Sequence, residues 1–98
     1  SKKDDGTLIV DLHADEVLET TAGMNSADIL HYQMDIFKKT MADNKKNKGQ
    51  KIIFIHGKGE GVLRQALIHE LNYRYKNCTY QDASFQEYGY GATQVTIR

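Results

Sequence analysis

The stretch 51-KIIFIHGKGEGVLRQAL-67 combines residue types that could bind an anion. A strand-like apolar run ends in His56, and a helical pattern begins at Val62. Glycines occupy every second position between them: Gly57, Gly59 and Gly61. The first N–H groups of a helix have no backbone partner and its dipole favours negative charge, while glycine lets an anion approach the main chain closely. The pattern therefore predicts an anion-binding loop, to which Lys58 would add positive charge.

The spacing within this loop does not match two nucleotide-binding motifs. A Walker loop needs a longer gap before Gly-Lys-Ser/Thr, and 56-HGKGEG-61 misses G-x-G-x-x-G by one residue. A phosphate, or a similar anion, remains the ligand class that the loop favours. The alternative is that the glycines only make a tight turn between a strand and a helix.

A second candidate pair lies in 11-DLH-13. Strand alternation puts Asp11 and His13 on one face. Such a pair could act as an orienting carboxylate with a general base, or as two ligands of a divalent ion. A structural role for Asp11, bonding to backbone N–H groups of the next turn, is the alternative.

Both candidate groups fall at one edge of the expected sheet. Residues 7–13 and 51–56 are apolar and β-branched, and an apolar stripe with a cap at Asn25 or Ser26 predicts a helix between them. A right-handed crossover makes the two strands parallel, and ligands of open α/β sheets bind beyond such carboxyl ends. Three candidate side chains would meet there: Asp11, His13 and His56.

The rest of the chain completes an α/β pattern. A helical repeat follows the glycines up to about Tyr75, and strands are predicted at 80–85 and 93–98. The order β-α-β-α-β-β predicts an α+β two-layer sandwich, with a four-stranded mixed sheet and two main helices.

The length of 98 residues suits a single domain with its own core. We expect that domain over 7–98, after a polar lead-in or linker at 1–6. The connection 14–25 has no sustained period. The charged start without methionine suggests an excised piece of a longer protein, and a processed N-terminus is equally compatible with it.

The charge distribution is uneven although the formal net charge is zero. Between Lys38 and Arg64 eight basic residues stand against two acids, a surplus of six positive charges that the rest of the chain offsets. Such a layout would orient an anionic partner toward one side. For 45-KKNK-48 the alternative is a solvated loop.

Several protein classes are excluded or disfavoured. Cys78 is the single cysteine, so one chain builds neither a disulfide framework nor a zinc knuckle, and a reducing cytoplasm is the expected location. No apolar run suits a membrane span, and the start lacks the apolar core of a signal peptide. Tyrosines in 73–80 and in 88-YGY-90 could stack on bases or simply pack.

These motifs resemble the small MutS-related (Smr) domain. That family carries a strand ending in Leu-Asp-Leu-His and a later His-Gly-x-Gly-x-Gly before a basic helix start. The matching segments here are 10-VDLH-13, 56-HGKGEGVLR-64 and the closing 91-GATQVTIR-98.

The resemblance implies a nucleic-acid-directed domain, often an endonuclease appended to a larger protein, and it covers the chain from about residue 8. It assigns catalytic positions to Asp11, His13 and His56. It assigns phosphate-binding positions to five further residues: Gly57, Lys58, Gly59, Gly61 and Arg64. The sequence resembles the version of the domain found at the end of certain bacterial proteins.

One departure from the family pattern lies at the expected site. A glycine usually follows the first histidine, whereas Ala14 here opens the longer connection 14–25. This insertion could narrow the substrate range, supply acids through Asp15 and Glu16, or cover the site.

Three functions follow as hypotheses. The first is an endonuclease, a hydrolase acting on RNA or structured DNA, with no certain cofactor and with Mg²⁺ or Mn²⁺ as candidate ions. The second is a DNA- or RNA-binding module without chemistry, which grips the backbone with the glycine loop and the basic segment 38–64. The third is a protein-interaction module that recognises an acidic or phosphorylated partner. In each case the rest of a larger chain would be a partner, and a membrane would not.

Overall fold

The computed structural model describes residues 2–98, which form a four-stranded mixed sheet with helices. In chain order the elements are β1 (Leu8–Asp11), α1 (Ala14–Val17), α2 (Ser26–Asp43), β2 (Lys51–Ile55), α3 (Val62–Arg74), β3 (Thr79–Asp82), α4 (Phe85–Tyr88) and β4 (Ala92–Thr96). The predicted fold class is confirmed. The predicted order lacked the one-turn helices α1 and α4, because a single turn is too short to show a helical period. Phe85 starts α4 instead of ending a strand.

The strand order β1-β2-β4-β3 brings several chain segments to one edge. β1 and β2 are parallel and end in register, with Asp11 opposite Ile55. β4 is antiparallel to both of its neighbours, so Ala92 pairs with Ile55 and Asp82 pairs with Thr93. The ends of β1, β2 and β3 and the start of β4 therefore meet, and the candidate site lies at this edge.

The main core lies between one face of the sheet and the two long helices. α2 buries one apolar stripe, α3 buries another, and both meet the inward side chains of β2 and β4. Phe37 of α2 packs edge-on against Phe54 of β2, with ring centroids 4.9 Å apart. This packing fixes the starts of both helices relative to the sheet edge.

The chain before β1 folds back on the sheet. Lys2 forms an isolated bridge with Leu8, and the Gln50 side-chain amide donates to the Gly6 carbonyl oxygen at 2.7 Å. Within residues 2–98 no helix has the length and apolarity needed to cross a membrane. The predicted division into a lead-in and one domain stays a prediction.

Candidate functional site

Asp11 and His13 form a hydrogen-bonded pair just after β1. One carboxylate oxygen, Oδ1 of Asp11, accepts from the His13 backbone N–H at 2.9 Å and from its ring Nδ1 at 2.8 Å. A carboxylate only accepts, so Nδ1 carries the hydrogen, and the neutral ring keeps a lone pair on Nε2. Among residues 2–98 that Nε2 has no hydrogen-bond partner. The pair is partly exposed, so another molecule could reach it.

Leu12 anchors this pair to the domain. Its side chain is fully buried, and its N–H donates to the Ile55 carbonyl oxygen at 2.8 Å. Its own carbonyl accepts from the Gln33 side-chain amide of α2 at 2.8 Å. β1, β2 and α2 together hold Asp11 and His13 in place.

Gly57 lies directly against the free nitrogen of His13. A Cβ added to Gly57 would be 2.7 Å from His13 Nε2, and its φ of +79° is in the left-handed region. Both facts require glycine at this position. The two predicted motifs therefore meet at one contact, between His13 and the first glycine of the loop.

His56 is buried and uses both ring nitrogens inside the protein. Its Nδ1–H donates to the Gly57 carbonyl oxygen at 2.8 Å, and its Nε2 accepts from the Thr93 hydroxyl at 3.0 Å. Burial is the main cause that lowers its pKa, and the Arg64 charge adds to the effect. This geometry suits a neutral histidine that positions Gly57. It suits the predicted role of His56 as acid or base less well.

Gly91 and Thr93 are site residues that the sequence did not reveal. The Gly91 carbonyl accepts from the N–H groups of His56 at 2.9 Å and Gly57 at 3.0 Å. A Cβ on Gly91 would lie 3.2 Å from the Gly57 Cα. Two signals were present in the sequence: the glycines around Tyr90, which are typical of a flexible turn, and the closing segment 91–98 of the resemblance. Neither shows the contact with Gly57.

The two helix starts near the glycine loop differ in capping. At α2 the Asn25 side chain accepts from the Asp28 N–H at 2.8 Å, and the Asp28 side chain accepts in return. At α3 the capping residue is Gly61, with φ +82° and no side-chain cap. The first N–H groups of α3 are therefore available to an anion.

A cavity of about 280 Å³ adjoins these N–H groups. The loop 56–61 and the start of α3 form one side, and the first turns of α2 form the other. Gly57 contributes to this wall and also contacts His13, which does not itself line the cavity. Gly57 is therefore the link between the cavity and the free imidazole nitrogen.

The two predicted phosphate-binding cations have different surroundings. Lys58 extends over the turn before β4, with its Cε 4.0 Å from the position of a Cβ on Gly89. No ion pair within residues 2–98 involves it. Arg64 lies at the cavity and pairs with Asp82 at 3.2 Å. Lys58 is thus the freer cation.

The lysines of the predicted basic segment lie elsewhere. Lys45, Lys46 and Lys48 precede β2, whereas the glycine loop follows it, and five strand residues separate the two ends by about 16 Å. The expectation that this segment and the loop grip one nucleic-acid backbone stays a prediction, and it requires a nucleic-acid strand long enough to span the sheet between them. Near those lysines is a second groove of about 560 Å³, whose lining includes five cations: Lys45, Lys48, Arg74, Lys76 and Arg98.

The Asp11–His13 pair alone provides few donors for a divalent ion. Asp11 Oδ1 and His13 Nδ1 are hydrogen-bonded to each other. Within residues 2–98 no group of three or more His, Cys, Asp or Glu side chains is arranged to hold a metal ion. The donor set matches an oriented imidazole better than the oxygen-rich shell that Mg²⁺ or Mn²⁺ prefers.

The mixed sheet and the glycine loop between β2 and α3 define the class of this domain. The chain belongs to the Smr domain family, whose model matches residues 23–98. That range contains His56, the glycine loop and the closing strand, while Asp11 and His13 precede it. Comparison with curated proteins and with solved structures gave no match.

The buried His56 makes the stability depend on pH. Its folded-state pKa lies below the ordinary value of 6.5, so the unfolded chain binds more protons as the pH falls through that region. We expect the free energy of unfolding to decrease below pH 6.5, by at most about 1.4 kcal/mol per pH unit from this group. Urea unfolding at pH 7.5 and at pH 5.5 measures this change in the free energy of unfolding. His56→Gln should flatten the dependence, whereas the exposed His31→Gln should not. Equal slopes in the parent and in His56→Gln would contradict this assignment.

Proposed function

We propose that this domain cleaves phosphodiester bonds in nucleic acid, with a backbone phosphate at the glycine loop and His13 as general base. The observation that carries the proposal is the free Nε2 of His13 against the backbone of Gly57. Membership of the Smr domain family supports a nucleic-acid-directed function in general. Cleavage itself is the part that the geometry suggests.

The phosphate would bind through the main chain. The uncapped N–H groups at the start of α3 would donate to its oxygens, and the helix dipole would favour its charge. Lys58 would neutralise part of that charge. Because these donors are held in place before the reaction, they would also stabilise the extra negative charge of the transition state.

His13 would remove a proton from the attacking hydroxyl or water. A bond from that oxygen to phosphorus forms, the bond to the leaving oxygen breaks, and solvent supplies the proton that this oxygen needs. Asp11 holds the ring in the tautomer with Nδ1–H and would stabilise the imidazolium that forms. His56 would act as a positioning residue, since it holds the Gly57 carbonyl and both of its ring nitrogens are engaged.

Cleavage of end-labelled substrates tests the proposal. We expect the domain to cleave at least one of single-stranded RNA, duplex DNA and branched DNA. The rate with EDTA should stay within about threefold of the rate with Mg²⁺, because the described site offers no cage for a cation. A rate that disappears with EDTA and returns with Mn²⁺ would contradict the metal-free route. Intact substrates in every lane, from a folded domain, would contradict the enzyme.

A binding module without chemistry is the second candidate. The observation that favours it is the setting of His56, which leaves His13 as the single free imidazole of the predicted set and provides no second acid for the leaving group. In that case binding would persist without cleavage, with affinity falling steeply as salt increases.

The location and the origin of the protein are also proposals. A cytoplasmic site, a bacterial origin and a position at the end of a larger chain stay predictions from the sequence. RNA and DNA both remain candidate substrates.

A further inference from the structure

Two large aromatic side chains next to the glycine loop are exposed to solvent. Phe85, at the start of α4, is 58% exposed, and Tyr90, just before β4, is 74% exposed. Their rings contact each other, with centroids 4.7 Å apart and an interplanar angle of 61°. The two rings form a contiguous exposed aromatic surface and are not singly scattered apolar residues.

The packing of α4 does not need this pair. Tyr88, on the same short helix, packs against the buried cluster formed by Ile53, Ala83 and Ala92. The α4 backbone is closed by its own bonds, with the N–H groups of Tyr88 and Gly89 donating to the Ser84 and Phe85 carbonyls. The two exposed rings are therefore free to contact another molecule.

The residues on both sides of Tyr90 contact the glycine loop of the candidate site. On one side, the Gly91 carbonyl accepts from the N–H of Gly57. On the other, Lys58 extends over Gly89. The chain of contacts from His13 Nε2 through Gly57 and Gly91 puts the Cα of Tyr90 within about 13 Å of that nitrogen. This upper bound is short enough for a base one or two nucleotides from a phosphate at the glycine loop to reach the two rings.

The chemistry of the pair suits an unpaired base. Aromatic side chains stack on bases without regard to sequence, and such stacking gives a substantial part of the affinity of single-strand binders. The bases of a duplex are already stacked and paired, so they would not reach these rings without being flipped out. The Lys58 side chain reaches from the glycine loop to Gly89, next to Tyr90, where it could contact the phosphate that joins two such nucleotides.

We infer that Phe85 and Tyr90 form a stacking subsite for an unpaired base of a single-stranded nucleic acid bound at the glycine loop. The inference rests on the proposed function and adds a preference for single strands over duplexes. Phe85 and Tyr90 bind and orient the strand, and they take no part in proton transfer.

Binding of single-stranded oligonucleotides that contain 2-aminopurine tests the subsite, because stacking on an aromatic ring quenches the fluorescence of that base. We expect the parent domain to quench the probe and to bind it more tightly than the same sequence in a duplex. Phe85→Ala/Tyr90→Ala should weaken single-strand binding about tenfold or more and abolish the quenching. Phe85→Tyr/Tyr90→Phe should retain both, because it keeps two aromatic rings.

Tyr73→Ala is the matched control. Tyr73 is 68% exposed and lies at the far end of α3, about 16 Å along the helix axis from Val62. It should leave binding and quenching unchanged. Thermal unfolding of each variant checks that the fold is intact, which is expected because the substituted rings are exposed.

Two results would overturn the inference, and they differ in what else they overturn. If the parent binds single strands and the double alanine variant binds and quenches equally well, the subsite is wrong while the proposed function stands. If the parent binds neither single strands nor duplexes, both the subsite and the proposed function are wrong.

Discussion

Replacement of His13 by alanine is expected to slow phosphodiester cleavage by a factor of about 10² to 10⁴, the usual contribution of a positioned general base. The side chain is half exposed and bonds only to Asp11 within the described chain, so the fold should survive its loss. Binding of nucleic acid should change little, because the donors at the start of α3 remain. Single-turnover cleavage at saturating protein separates this loss of rate from any loss of affinity.

His31→Ala is the control for that experiment. His31 is an exposed histidine on α2 that pairs only with Asp35, one turn further along the same helix. Its loss should leave the rate unchanged. If His13→Ala cleaves at the parent rate, or if both variants lose the same activity, His13 is not the base.

Replacement of Gly57 by alanine is expected to slow cleavage about as much as His13→Ala does, because the new side chain displaces His13. The new Cβ would lie 2.7 Å from Nε2, so the ring or the loop must move. The left-handed φ of +79° adds a strain of about 1–2 kcal/mol. Cleavage and urea unfolding of the variant measure the two effects separately.

Gly49→Ala is a control that introduces backbone strain without displacing His13. Gly49 has a φ of +89°, and an added Cβ there meets nothing within 4 Å. We expect this variant to lose about 1–2 kcal/mol of stability and to keep its rate of cleavage. Equal rates for Gly57→Ala and Gly49→Ala would contradict a functional contact between His13 and Gly57.

The elements that carry the site could be predicted because their signals are local. An apolar stripe and the Asn25 cap predicted α2, and the apolar run predicted β2, both confirmed by the structure. Right-handed crossover then placed the ends of β1 and β2 together. The pairing of Asp11 with His13 followed from strand alternation. The structural alternative for Asp11 is also realised, because the same Oδ1 accepts the His13 backbone N–H.

The surroundings of His56 could not be predicted because they come from a distant part of the chain. Its partner Thr93 is 37 residues away and reaches it only because β4 inserts between β2 and β3. The contact of Gly91 with Gly57 has the same origin. A sequence pattern shows that a histidine ends a strand, but not whether the neighbouring strand buries it.

The position of the lysines illustrates a different limit. Charge counted along the chain treated 38–64 as one segment. β2 lies within that segment and crosses the sheet from one end to the other. Lys45, Lys46 and Lys48 therefore lie at the end of the sheet opposite the glycine loop. Residues close in sequence are separated wherever a strand lies between them.

The central claim is that a nucleic-acid phosphate binds at the start of α3 beside His13. An NMR titration of the ¹⁵N-labelled His13→Ala variant with a short single-stranded oligonucleotide tests it most directly, because the strand stays intact. We expect the largest amide shifts at Gly57, Gly59, Val62 and Leu63. Shifts confined to the groove near Lys45 and Lys76, with the glycine loop unchanged, would contradict the account and place the nucleic acid at the opposite end of the sheet.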